Sequence, residues 1–76
     1  MAAEIDQLIA AALKIPVASV VDTLKYQDVP EWDSMGHLGI VLALEERFGI
    51  SIGDDLYPKL TSVQAIRAFA AEQNAS

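Results

Sequence analysis

The 76-residue chain has no cysteine and a single histidine, His37. The first absence excludes disulfides and thiolate metal sites, and it fits a reducing compartment. The second leaves no histidine cluster for a metal, and no calcium-loop pattern is present either. Positive charge is scarce: five Lys and Arg stand against eleven Asp and Glu, for a net charge of −6. Such a surface disfavours nucleic acid, whose phosphates need Lys and Arg, and anionic membrane likewise. It favours partners with basic docking patches, or it only keeps a small domain soluble. Long apolar runs are missing too. The stretch from Leu8 to Leu13 is too short and alanine-rich for a signal or anchor, so a cytoplasmic location is expected. Residues 1–76 are expected to form a single domain with a core of only marginal size.

What is present is helical patterning. Ile5, Leu8, Ile9, Ala12 and Leu13 fall at i, i+3, i+4, i+7 and i+8, which predicts a first helix over roughly Ala3 to Ile15. Glu4 and Asp6 suit its first turn and Lys14 its last, and Pro16 stops it. A long connection follows, from about Pro16 to Asp33. Val17, Val20, Val21 and Leu24 are apolar enough to pin it across the bundle, with a turn near Asp22, and Pro30 predicts an extended approach to Trp32. The second helix is expected from Ser34 to Phe48, with Ile40, Val41, Leu44 and Phe48 inward and Gly49 as its stop. Ile50-Ser51-Ile52 reads as a link and Asp54 to Lys59 as one short helical turn. Thr61-Ser62-Val63-Gln64 reads as a capping box in which Thr61 caps the last helix, with Val63, Ile66, Phe69 and Ala70 inward. Three amphipathic helices, one helical turn and no strand pattern make an all-α fold.

The stretch from Trp32 to Leu38 sets Ser34 at the mouth of the second helix. A serine nucleophile needs a base and an oxyanion hole. His37 is the only histidine, no G-x-S-x-G elbow is present, and so small a chain offers little room for a catalytic pocket. No intrinsic enzymatic activity is therefore expected. Asp33-Ser34 alone reads as a helix cap. A phosphodiester on Ser34 is the other reading, because a helix N-terminus offers free amides and the positive end of the dipole.

Asp33-Ser34-Met35 resembles the Asp-Ser-Leu signature of acyl carrier proteins. The likeness continues through the run from Ala43 to Ile50, then Ile52, then the run from Leu60 to Ala65, without gaps. It implies a four-helix bundle with a short third helix and a long loop between helices one and two. It implies a stand-alone carrier in which Ser34 bears 4'-phosphopantetheine from coenzyme A, with Asp33 and Met35 beside the attachment point. The implied partners are a phosphopantetheinyl transferase, an acyl- or aminoacyl-loading ligase, and a downstream acyltransferase or synthase acting on a monomeric carrier. Met35, Leu38, Leu42, Glu45 and Glu46 resemble partner-contacting positions; ordinary core is the alternative for the apolar three, favoured for Leu38 and Leu42 only if the bundle wraps further around the second helix. Leu44, Ile52, Tyr57, Leu60 and Ile66 resemble the lining of an acyl cleft. Tyr57 is bulkier than the residue often found there, which favours a short or polar cargo. A housekeeping fatty-acid carrier and an unmodified helical interaction module are the alternatives.

Gly36 and Gly39 depart from the family's frequent acids, and each costs the helix up to about 1 kcal/mol relative to alanine. They read as points of close partner approach, as flexible first turns, or as drift at exposed positions. His37 reads as an exposed polar residue or as a contact to the phosphate or arm, and Trp32 as a loop anchor.

Overall fold

A computed structural model describes the chain over residues 2–75, with side chains over residues 4–73. Three α-helices form: α1 at Ala2–Leu13, α2 at Ser34–Phe48 and α3 at Val63–Ala75. Two single 3-10 turns, Val17–Ser19 and Tyr57–Lys59, lie in the connections. Among the described residues the only β pairing is one isolated bridge between Lys25 and Ser62. The fold is therefore all-α. No described helix is long and apolar enough to cross a membrane.

The expected faces meet in one core. Ile5, Ile9 and Leu13 of α1 are buried with Ile40 and Leu44 of α2 and with Val63, Ile66, Phe69 and Ala70 of α3. Leu8, Ala12 and Phe48 are partly buried against that core, and the Phe48 and Phe69 rings meet edge to face at 6.3 Å. The radius of gyration, 11.2 Å, matches the roughly 11 Å of a close-packed chain of this length.

The helix ends differ from the pattern in informative ways. α1 stops at Leu13, two residues before the expected end, because Lys14 turns left-handed (φ 60°). The Ile15 N–H then bonds the Ala10 carbonyl at 3.0 Å, a Schellman closure with lysine in glycine's usual place. α2 closes the same way, with Gly49 left-handed and Ile50 N–H on the Glu45 carbonyl. α3 is capped by Ser62 rather than Thr61. Ser62 Oγ accepts from Ala65 N at 3.1 Å, while the Thr61 carbonyl accepts from Tyr26 N at 2.8 Å. Pairing with the long connection thus moves the cap one residue along.

That connection is held at three points. Val20 and Leu24 are buried, whereas Val17 and Val21 are about half exposed and do not pin it. Backbone bonds from Tyr26 N to Thr61 O and from Val63 N to Leu24 O tie it to the start of α3. Trp32 is fully buried and anchors its far end. Pro30 lies inside a tight turn closed by Trp32 N on Val29 O at 3.0 Å, not in an extended approach, because proline's fixed φ suits that turn position.

Candidate functional site

Asp33 and Ser34 divide the work at the start of α2. Asp33 has extended backbone and is the N-cap, and its Oδ1 accepts from Gly36 N at 2.9 Å. Ser34 is the first helical residue, exposed, with its Oγ 3.2 Å from the Tyr26 phenol. Its side chain is not the cap. The first turn of α2 holds no acid.

His37 corrects the expectation of an exposed polar residue: it is 3% exposed. Its Nδ1 accepts from Trp32 Nε1 at 3.2 Å, which makes Nε2 the protonated nitrogen, and Nε2–H donates to the Tyr57 carbonyl at 3.0 Å. The Tyr57 ring stands edge-on to the imidazole at 4.7 Å between centroids, and the Tyr26 ring at 5.6 Å. Both ring nitrogens are thus engaged with partners other than Ser34 Oγ. A spacing signal for this burial exists, since His37, Ile40, Val41, Leu44 and Phe48 follow i, i+3, i+4, i+7 and i+11.

Gly36 is also corrected. A Cβ there would lie 2.2 Å from the Glu31 carbonyl oxygen and 2.9 Å from Leu13 Cδ2. The close neighbour is the protein's own connection, not a partner, and the position is not free to drift. Gly39 differs, because a Cβ there would meet Ala12 at 3.6 Å, an ordinary contact.

The remaining predicted residues fall into two groups. Met35, Leu38 and Leu42 are exposed, at 76%, 42% and 54%, and lie on one side of α2 opposite His37 and Leu44. Leu38 and Leu42 are therefore not core. Exposed Glu46 continues the stripe at i+4 from Leu42. Glu45 lies off it, and its carboxylate accepts from Ile52 N at 2.7 Å, holding the link after α2. Leu44, Leu60 and Ile66 are fully buried in the core, and Ile52 packs against it.

Tyr57, the fifth residue expected in a cleft, lines a pocket of about 210 Å³ beside Ser34 together with Tyr26, His37, Pro58 and Thr61. Sequence reading missed Tyr26, Pro58 and Thr61 here. They reach the site through the backbone bond of Tyr26 to Thr61, a contact across 35 positions that carries no local signal. No known protein-family model matches the chain.

Proposed function

We propose that the protein is a stand-alone acyl carrier, with a 4'-phosphopantetheine arm esterified to Ser34. One observation carries this reading: Asp33 caps α2, which leaves the exposed Ser34 hydroxyl outside the cap, with the Tyr26 phenol as its partner. The residues present fit the group. The hydroxyl is accessible and lies at the N-terminus of α2, where the dipole favours an anion beside the capping Asp33 carboxylate. The arm supplies the thiol that the cysteine-free chain lacks and holds a short acyl, hydroxyacyl or aminoacyl group as an activated thioester. Tethering raises the effective concentration of that group at each partner's active site.

Installation needs a phosphopantetheinyl transferase. Ser34 Oγ gives up its proton and bonds to phosphorus of coenzyme A, whose diphosphate bridge breaks to release adenosine 3',5'-bisphosphate. Asp33, by the family resemblance, helps the transferase position its metal and substrate. Met35, Leu38, Leu42 and Glu46 form the face offered to the transferase, to a loading acyl- or aminoacyl-ligase, and to a downstream acyltransferase or synthase. Apolar anchors beside an acid suit basic partners. The monomer then reads as a four-helix arrangement in which the Tyr57–Lys59 turn stands for the short third helix. A small cargo is favoured because Leu44, Leu60 and Ile66 fill the core, so a long alkyl chain would have to displace them.

Incubation with coenzyme A and a broad-specificity transferase tests the reading by intact mass. Wild type is expected to gain one phosphopantetheine and Ser34→Ala none. A wild type of unchanged mass would sink the carrier reading and leave the exposed α2 stripe as the face of a helical interaction module. Charging with fatty-acyl and aminoacyl ligases then separates a specialised carrier from a housekeeping one.

A further inference from the structure

The pocket beside Ser34 is built from three parts of the chain that are far apart in sequence. Tyr26 comes from the long connection, Ser34 and His37 from α2, and Tyr57, Pro58 and Thr61 from the segment before α3. Each wall is fixed from behind. Tyr26 N bonds the Thr61 carbonyl, His37 is held by Trp32 and by the Tyr57 carbonyl, and the Tyr57 ring packs on the imidazole. The cavity is therefore preformed. At about 210 Å³ it is smaller than the roughly 300–1,000 Å³ of pockets that enclose a whole drug-sized ligand. It suits a fragment of a larger molecule. Its lining is mainly apolar, with hydroxyl-bearing Tyr26 and Thr61 among the walls.

Ser34 itself lines this pocket, so a group bonded to Oγ starts at its mouth. We propose that the pocket seats the near end of the arm, namely its geminal dimethyl carbon with the adjoining hydroxyl and first amide, and not the cargo. The inference rests on Ser34 being the attachment point. The near end lies only a few bonds from Oγ, whereas the thiol end reaches the pocket only if the whole arm doubles back. Aromatic walls and a mainly apolar lining suit the two methyl groups. The Tyr26–Ser34 contact changes character on modification. Either hydroxyl can donate in the free serine, but an esterified Oγ has no hydrogen, so the phenol becomes the donor. Seating the first part of the arm leaves only the distal part mobile, which narrows the volume swept by the thiol.

The test uses the full chain converted with coenzyme A, with loading on Ser34 checked by intact mass. Proton NMR of the loaded protein is expected to show nuclear Overhauser contacts from the geminal methyls to the Tyr26 and Tyr57 rings. The methyl resonances should lie upfield of those of free phosphopantetheine. Thr61→Leu narrows the pocket, and in protein whose loading is confirmed by intact mass it should return the methyls to their free positions. A loaded wild type whose methyls keep free shifts and show no ring contacts overturns the inference while the carrier reading stands. The same holds if protein loaded from butyryl-coenzyme A shows ring contacts from the butyryl group in place of the geminal methyls. A wild type that gains no mass overturns both.

Discussion

The Trp32 indole N–H donates to His37 Nδ1 at 3.2 Å, and both side chains are buried. Through Nε2 the same imidazole holds the Tyr57 carbonyl, so one side chain ties the end of the connection and the segment before α3 to α2. His37→Leu keeps the apolar contacts and leaves both partners unpaired. Each unsatisfied buried group costs about 1–3 kcal/mol, so a loss of roughly 2–6 kcal/mol is expected in urea unfolding. For a domain of this size, 1 kcal/mol corresponds to about 4–8 °C in Tm. Trp32 fluorescence should shift to the red as its anchor loosens. A variant as stable as wild type would show that the two bonds contribute nothing net.

Capping rests on Asp33, and the proposed attachment on Ser34. Asp33→Ala removes the acceptor for Gly36 N and should cost about 0.5–2 kcal/mol. Ser34→Ala alters an exposed helical residue, and its stability should stay within roughly 0.5 kcal/mol of wild type, while loading from coenzyme A is lost. Paired urea curves and intact masses check both. If the serine variant were the less stable of the two, the cap would have been assigned to the wrong residue.

The inward faces of all three helices and both ends of α2 are legible in the sequence because apolar periodicity and glycine stops are local signals. The placement of Ser34 in the first turn of α2 is legible for the same reason, at the start of a strong helical pattern. What the pattern hides depends on contacts between segments. His37 fits the buried spacing, yet an imidazole is buried only where partners satisfy it, and those come from Trp32 and from Tyr57, 20 residues away. The requirement at Gly36 comes from the Glu31 carbonyl folding back onto the helix. The shift of the α3 cap from Thr61 to Ser62 comes from the Tyr26 bridge, and the early end of α1 at Lys14 has no glycine to announce it.

Gly36 and Gly39 should respond to alanine with opposite signs. Helix propensity favours alanine at both by up to about 1 kcal/mol. At Gly36 the added methyl meets the Glu31 backbone oxygen at 2.2 Å, and overpacking of this kind costs about 1–3 kcal/mol. Gly36→Ala is therefore expected to lower the unfolding midpoint, and Gly39→Ala to raise it. Thermal melts of the two variants decide this, and stabilisation by Gly36→Ala would refute the close approach.

Lys14 occupies a left-handed position that costs an L-residue roughly 1–2 kcal/mol. Lys14→Gly relieves that cost, although glycine's freer unfolded chain takes part of the gain back. A net stabilisation of up to about 1 kcal/mol is expected, with the Ile15–Ala10 closure intact. Urea unfolding measures it, and a destabilised variant would argue against the left-handed turn.

Arg67 joins three elements, and its removal should cost more than removal of Arg47. From α3 it bonds Asp6 of α1 at 2.8–3.0 Å and also Asp22 of the connection, and it is the more buried of the two arginines. The Arg47–Glu4 pair is about half exposed, so Arg47→Met should change stability by less than about 1 kcal/mol and should fade in high salt. Arg67→Met should cost about 1–2 kcal/mol and persist in salt, because Asp6 is left partly buried without its cation. The Arg67 guanidinium is held above its ordinary value, chiefly by the hydrogen bond to Asp6, with Asp22 adding to it against the lowering effect of burial. A base raised on folding stabilises fully below its unfolded value and loses that contribution only as pH rises through the higher folded value. Titration of Arg67 should therefore take nothing from stability across the neutral range, and its contribution should fall only at strongly alkaline pH. Urea curves of wild type and Arg67→Met should stay separated by a constant interval from neutral to moderately alkaline pH, and an interval that closes there would contradict the assignment.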